Sequence, residues 1–472
     1  MKKETPLLGI TKISSGLPVL NAHAAGIDIG DTLHYVAISN GSGGHDVKAT
    51  SAFTSDLHDI VSYLQSHGIT TAALESTGIY WLPLYLLLEE AGIEPYLVNA
   101  AHVKNVTGRK KDDTDAIWLQ KLHTCGLLNK SFQPDIEMRT LRGYTRHRKS
   151  LIFLAADAVR RMQKSLELMN IKLHTVISDI LGKTGMLMVK AIIGGERDPE
   201  VLYTLCDPRI KASKEEMLKS LAGVWHEEHL FMLEQAVEHY EFHQQQIKAC
   251  EAKIQAQLTK QVAIVEQGDL TDLDNAVHEQ TQVVEVVKTL DTPKVVKTSK
   301  KKTVKKNQFN APVAPALTLL TGVDLTKIPG ISEVTALEFI AEVGLDMSKW
   351  QTPKQFAAWL NLAPNTKITG GKIVSSKMMS KDNRAGLCLR QAASCLSTNK
   401  TPVGDYYRTV RSRLGGKGAV IATAHKLARI IYAMLVNKTE YNQDMVNQNQ
   451  ENVKERKIKK LEKQLERLKK AA

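Results

Sequence analysis

The sequence predicts an α/β domain followed by a mostly all-α region, and three observations predict it. Short apolar runs alternate with helical patterns from about residue 24 to 125, long helical stretches dominate from 136 onward, and a lysine-rich segment without apolar period separates two of them. At 472 residues the chain is too long for one ordinary domain, and its 43% apolar fraction is ample for several cores. The composition shifts mark an amino-terminal extension 1–23, an α/β domain 24–132 and a long helical or coiled-coil region 133–265. They then mark a basic linker or insertion 266–315, a helical carboxy-terminal domain 316–441 and a charged helical tail 442–472.

Ala25-Gly26-Ile27-Asp28-Ile29 reads as a buried strand, and Leu33 to Ser39 and Val47 to Phe53 read as two more after Gly, Ser and Asp turns. Leu57, Ile60, Val61 and Leu64 then fall at helical spacing, with Thr54 or Ser55 as N-cap and Gly68 just past the end. Thr70 to Leu74 is a strand, Leu82 to Glu90 a helix closed by Gly92, and Pro95 to Val98 another strand. The order βββαβαβ followed by a helix is that of a ribonuclease-H-like (RuvC-like) domain. Helical patterns run from Ile136 to about Leu181 and from about 213 to 262, long enough for coiled-coil arms. Between about 266 and 315, Lys294, Lys297, Lys300 to Lys302, Lys305 and Lys306 stand among Thr, Val and Ser, as in a disordered or extended linker. Ile458, Leu461, Leu465 and Leu468 give the tail a short helical stripe.

The formal charge is +13, from 63 Lys and Arg against 50 Asp and Glu. That balance points to a polyanionic partner, nucleic acid first. Five scattered cysteines without CxxC spacing favour reduced thiols over a disulfide framework or a zinc site. No secretory signal and no apolar run of membrane-spanning length is read, so the expected location is cytoplasmic, with no membrane partner.

Four acids carry the first candidate site. Asp28 lies within a strand between Ile27 and Ile29, where a charge is costly unless liganded. Glu75 ends the fourth strand, and Asp112 and Asp115 open the following helix three residues apart, on one face. In a ribonuclease-H-like sheet the first and fourth strands are adjacent, which puts Asp28 beside Glu75. Carboxylates so clustered repel one another without cations and, with one or two Mg²⁺ ions, make a phosphoryl-transfer site. Taken singly, each acid is better read in the plainer way, Asp28 as a turn residue ending its strand and Asp112 as a helix N-cap; the four together reverse that and favour the metal.

Gly26-Ile27-Asp28, Leu74-Glu75-Ser76-Thr77-Gly78-Ile79-Tyr80-Trp81 and Gly108-Arg109-Lys110-Lys111-Asp112-Asp113-Thr114-Asp115-Ala116 closely resemble the DEDD-type transposases of the insertion-sequence 110 family. Trp118 to His123 and Leu141 to Arg148 resemble its 1111 subgroup. The resemblance covers nearly the whole chain apart from the lysine-rich linker and the tail. Lys111 departs from it, since the family usually has Thr before its third acid.

In the carboxy-terminal domain, Lys327-Ile328-Pro329-Gly330-Ile331-Ser332 before an apolar helix reads as a helix-hairpin-helix. There Gly330 permits the turn and the helix amides suit a DNA phosphate. A Pro-Gly turn between packed helices looks the same. The stretch Leu362 to Lys377 resembles the loop that holds the family's nucleophilic serine. The serine position falls on Thr369, a departure from the pattern, with Ser375 and Ser376 following as alternatives. Alternatively, all three hydroxyls merely touch phosphate beside Lys367, Lys372 and Lys377. Arg109, Lys110, Arg142, Arg146, Arg148, Arg384, Lys426 and Arg429 complete the candidate nucleic-acid contacts.

The resemblance implies a transposase or recombinase that cuts and rejoins DNA by transesterification through a side-chain hydroxyl. Asp28, Glu75, Asp112 and Asp115 would bind Mg²⁺, in a site assembled between subunits of a dimer or tetramer. It also implies an element-encoded non-coding RNA, a bridge RNA, pairing with donor and target DNA. The alternatives are a metal-dependent junction resolvase or nuclease acting through water, and an inactive nucleic-acid-binding derivative.

Overall fold

The computed structural model describes residues 18–41, 43–99, 112–272, 307–378 and 383–443, with Ile458 and Glu462. It divides into two compact units, Met1–Gln133 and Pro134–Ala472.

The first unit is a mixed α/β layer, consistent with a ribonuclease-H-like domain. Strands β1 (Ala24–Ile29), β2 (Leu33–Ser39) and β3 (His45–Ser51) form an antiparallel meander. Helix α1 (Thr54–Ser66) leads to β4 (Thr71–Glu75), and α2 (Trp81–Glu90) leads to β5 (Glu94–Val98). The strand order is β3-β2-β1-β4-β5, with β1, β4 and β5 parallel. Side chains alternate across a strand, and the burial follows that alternation. Ala25, Ile27, Ile29 and Leu74 meet Leu57, Ile60 and Leu64 of α1 and Leu84 and Leu88 of α2 on one face. On the other face Ala73 and Val98 meet Trp118, Leu119 and Leu122 of α3 (Asp112–Thr124). Strand β3 lies two residues earlier than the expected Val47 to Phe53, because its ladder begins at the pair Ser39 and His45. Helix α1 starts at Thr54 with Phe53 at the cap position and no side-chain cap, so the expected capping residues already lie in the first turn.

The second unit opens with α4 (Ile136–Leu168), capped by the Asp135 carboxylate accepting from the Met138 amide at 2.8 Å. It stops thirteen residues short of the expected Leu181, where Asn170 adopts a left-handed φ of 56°. Short helices α5 (Leu173–Val176), α6 (Lys183–Ile193), α7 (Pro199–Tyr203) and α8 (Lys214–Leu221) pack their apolar sides around Met162, Leu166, Leu233 and Val237. Helix α9 (Glu227–Asp272) then returns along α4. Glu137 meets Gln257 and Lys260, whereas Arg148 meets Glu251, so the two run antiparallel. The helix continues past 266, the expected start of the linker; residues 273–306, with the lysines from Lys294 to Lys306, lie outside the described residues.

From residue 307 the chain forms α10 (Ala314–Thr321), a 3-10 turn (Leu325–Lys327), α11 (Glu333–Val343) and α12 (Pro353–Trp359). A two-stranded hairpin follows, β6 (Lys367–Thr369) and β7 (Lys372–Ser375), and then α13 (Arg384–Ser394) and α14 (Pro402–Asn437). Phe339, Trp350, Phe356 and Tyr432 form an aromatic core, closed by the Tyr432 hydroxyl donating to the Trp350 carbonyl at 2.6 Å. Helix α14 is broken at Gly415, with φ 74° and ψ 179°. Tyr407 and Val410 pack on Ala419, and Lys426 sits 4.4 Å from the Tyr406 ring centre. In a straight helix residues 407 and 419 would be about 18 Å apart, so the two arms fold back on one another.

This element corrects the expectation that no segment is apolar enough to span a bilayer, since α14 passes by length and composition. Its most apolar stretch is 56% buried inside the unit, as a core helix of a folded domain is.

Candidate functional site

The acids are positioned by the sheet register. Ile27 pairs with Leu74 across the parallel β1–β4 ladder, and the next residue on each strand is Asp28 and Glu75. Neighbouring strands lie roughly 4.8 Å apart, so the two carboxylates leave the backbone side by side. Both share the alternation of Gly26 and Ala73 and therefore face α3. Glu75 is 5% exposed and Asp28 half-buried. Helix α3 begins at Asp112 over this same face, and Asp115, half-buried, lies in its first turn. Asp28 and Glu75 thus stand at the carboxyl ends of parallel strands, the edge where open α/β sheets take their ligands.

Why α3 comes so close is written in Gly26. A Cβ there would stand 2.2 Å from the Ala116 carbonyl oxygen and 2.3 Å from the Gln120 amide nitrogen. The helix therefore rests directly on strand backbone, one residue beyond Asp115. Polar contacts pin it: Gln120 Nε2 donates to the Ala24 carbonyl at 3.3 Å, and His45 Nε2 lies 2.9 Å from Gln120 Oε1. His123 Nε2 lies 2.9 Å from Thr71 Oγ1, and burial pushes the His123 pKa down to about 4. Sequence reasoning did not assign Gly26, Gln120 or His123 this positioning role; the polar pair three residues apart, each next to a leucine of the buried side, was the available signal.

The donor chemistry suits Mg²⁺, a hard ion that prefers carboxylate oxygen. A carboxylate as shielded as Glu75 beside a second carboxylate is an arrangement that a cation relieves. Asp28, Glu75 and Asp115 each already engage a partner. Among the described residues no three His, Cys, Asp or Glu side chains are gathered tightly enough to hold an ion. The Asp112 side chain, with Arg109 and Lys110, lies outside the described residues.

In the second unit Thr369 pairs with Lys372 at the tip of the β6–β7 hairpin, and Gly370 and Gly371 make the turn at φ 55° and 75°. Both central residues at positive φ is the two-residue turn that matches strand twist, and glycine takes it without strain. Thr369 and Ser376 are exposed; Ser375 is half-buried, its Oγ accepting from the Lys377 amide at 3.4 Å. Lys367, Lys372 and Lys377 are exposed along the same hairpin.

The other cations divide. Arg148, 2% exposed, is consumed by a buried pair with Glu251 at 2.7 Å, and stacks 4.0 Å from the Phe309 ring centre. Arg142 donates to the Ala341 and Glu342 carbonyls that end α11, at 3.2 and 2.9 Å, and burial lowers its pKa against the pull of Glu342. Arg146 makes two 2.7 Å bonds to the Glu342 carboxylate while remaining exposed. Read from the sequence as nucleic-acid contacts, Arg142 and Arg148 instead tie α4 to α11 and α9. Arg384 and Arg429 are exposed; Lys426 is half-buried, and burial lowers its pKa. Gly330 is exposed at φ 88° between the 3-10 turn and α11, and a Cβ there would press on the Ala392 carbonyl at 2.9 Å.

Comparison with known proteins bears on both parts. Residues 25–171 match a family model described as Transposase, the DEDD domain of insertion sequence 110. Residues 324–408 match one described as Transposase IS116/IS110/IS902 family. A curated protein of Pseudomonas aeruginosa named "Probable family 20 transposase" is 30% identical over 125 residues, 25% of this chain. The matched stretch spans 36% of that protein's length. Two separate stretches of this chain are thus similar to insertion-sequence transposase domains, one DEDD-type around the acids and one around the glycine-turned hairpin.

Proposed function

We propose that this chain is an insertion-sequence transposase that cuts and rejoins DNA by transesterification. The observation that carries the reading is the placing of Asp28 beside Glu75 at the carboxyl ends of β1 and β4, under the helix that begins with Asp112 and Asp115. The similarity of residues 25–171 and 324–408 to transposase domains supports it. Domains of the DEDD type work with divalent metal ions; here Asp28, Glu75, Asp112 and Asp115 would hold Mg²⁺. The ion supplies Lewis-acid stabilisation of the negative charge that builds on a phosphodiester under attack.

The chain's own residues do the rest. Thr369 Oγ attacks phosphorus, one P–O bond forms to the protein and one breaks to the sugar. The proton lost from the threonine is matched by one gained on the departing sugar oxygen. The covalent phosphothreonine ester conserves the bond energy for rejoining, so no nucleotide triphosphate is consumed. Thr369 is preferred because it stands where the resembling loop has its serine and is exposed at a tip that glycines leave open; Ser376 is exposed too, and Ser375 is half-buried. Ser375 and Ser376 are the fallback nucleophiles. Lys367, Lys372 and Lys377, with Arg384, Lys426 and Arg429, would seat DNA backbone, as would the turn at Gly330. Target choice would fall to an element-encoded bridge RNA, and the working form would be a cytoplasmic dimer or tetramer.

The test is strand exchange by purified chain with its element RNA, Mg²⁺ and paired DNA sites. Asp28→Asn or Glu75→Gln is expected to remove about 4 kcal/mol of transition-state stabilisation, roughly a thousandfold in rate. Full activity in either variant overturns the role of the acids. Hydrolysis by water is the second reading, favoured by the β-branched Thr369 crowding an attack on phosphorus. A protein–DNA adduct trapped on Thr369 excludes it.

A further inference from the structure

The β6–β7 hairpin has two unlike faces. Ile368 pairs with Ile373 on one, and Thr369 pairs with Lys372 on the other. Lys367 shares the side of Thr369 by alternation. A register shift between Lys367 and Ile368 leaves Val374 as the extra residue of the bulge. Ile368, Ile373 and Val374 are 63, 67 and 67% exposed, three large apolar side chains of one short hairpin in open water. A two-stranded hairpin is marginal in water by itself, so an apolar face of this kind is built to be covered. Charge decides the occupant. Between residues 364 and 378 the chain carries Lys367, Lys372 and Lys377 and no Asp or Glu. A hairpin with an apolar face, a lysine-bearing face and no acid complements a molecule with a charged anionic rail and apolar flat faces inside it, which is duplex nucleic acid.

We propose that this hairpin is a wedge: its lysines seat on the backbone phosphates while Ile368, Ile373 and Val374 enter the duplex and unstack a DNA base step. The inference rests on the transposase reading and deepens it. Apolar side chains that part a base step kink the duplex, and the bent duplex wraps more protein surface, which offsets the lost stacking. The unstacking also loosens the backbone beside Thr369, one residue from Ile368, so that phosphorus can be approached from the side that stacking otherwise closes. No covalent step is added.

The test uses the full chain with its element RNA and a duplex drawn from the DNA flanking its gene, with 2-aminopurine at successive positions. Binding of the parent protein is expected to raise the fluorescence at one or two adjacent positions. The double variant Ile368→Ser/Ile373→Ser removes only exposed side chains and should fold, as circular dichroism will report. At saturating protein it should lose the fluorescence rise while still binding DNA. Lys372→Ala should keep the rise in the bound state and reduce the slope of log K against log salt by about 0.9, one phosphate contact. A fluorescence rise that survives in the double variant overturns the wedge. So does a parent protein that binds the duplex with no rise at any position. If the double variant instead dissociates a DNA-free oligomer, the face belongs to a second copy and the wedge is wrong. A parent chain that binds no DNA at all overturns the transposase reading itself.

Discussion

The pair Arg148–Glu251 offers the sharpest test of how the second unit is held together. The two side chains are 2% and 7% exposed. Glu251 Oε1 accepts from Arg148 Nε at 2.9 Å and Nη2 at 2.7 Å, while Oε2 accepts from the Asn310 amide at 3.3 Å and its side chain at 2.7 Å. Arg148 also donates to the Asn307 carbonyl at 2.9 Å. One ion pair therefore fastens α4, α9 and the start of segment 307–313. Glu251→Leu leaves a guanidinium buried without its counter-charge, which costs about 3–5 kcal/mol. At roughly 2–4 °C per kcal/mol for a large domain, the melting temperature should fall by about 6–20 °C. Arg148→Met/Glu251→Leu removes both charges. Its remaining cost is the unpaired Asn307 and Asn310 groups, about 1–3 kcal/mol each at most, so it should recover part of the loss. Thermal and urea unfolding followed by circular dichroism reads both variants. The reasoning is refuted if the double variant is no more stable than Glu251→Leu, or if Glu251→Leu lies within about 1 kcal/mol of the parent. The double variant should also bind DNA with an unchanged salt slope, because Arg148 is 2% exposed and out of reach of a phosphate.

Three other outcomes follow from the geometry. Gly26→Ala forces α3 off the sheet; it should cost at least about 1–3 kcal/mol and abolish strand exchange in protein that is still soluble, because the displaced helix carries Asp112 and Asp115. Thr369→Ser should retain covalent adduct formation and Thr369→Ala lose it; an adduct that persists in Thr369→Ala and vanishes in Ser375→Ala or Ser376→Ala moves the nucleophile. His123, with its folded pKa near 4 against 6.5 in the open chain, stays neutral where the unfolded state binds a proton. Its stabilising contribution is complete above about pH 6.5 and is lost as pH falls toward 4. Urea midpoints at about pH 7 and pH 5 should therefore differ less in His123→Gln than in the parent.

Much of the first unit was legible because its signals are local. The spacing of Leu57, Ile60, Val61 and Leu64 marks the buried side of α1, and all four are buried. The alternation around Gly26 and Asp28 marks β1, and the adjacency of β1 and β4 expected from the strand order is present in the ladder. Element ends were less legible. Strand β3 is set by its partner in the ladder, and α4 ends on a left-handed Asn170 instead of on any loss of apolar period.

The cations of α4 misled for a physical reason. A helix bearing Arg142, Arg146 and Arg148 looks like a phosphate-binding face, because the carboxylates that engage it, Glu251 and Glu342, come from 103 and 196 residues away. Charge counted along the chain cannot see a counter-charge delivered by folding. The candidate nucleophile loop, expected within a helical domain, is instead a two-stranded hairpin; Gly370-Gly371 between Ile-Thr and Lys-Ile was the unused signal for its tight turn.

The reversal in α14 has a consequence for its cations. Arg411 and Arg413 precede Gly415 and Lys417 follows it, and from residue 406 to 439 the chain carries no acidic residue. Folding the rod back on itself gathers those three positive groups about a single knuckle instead of spreading them along its length. The knuckle depends on a backbone shape that glycine alone adopts comfortably. Any side chain at 415, even a methyl, would push the rod toward straightening and pull Tyr406 away from Lys426.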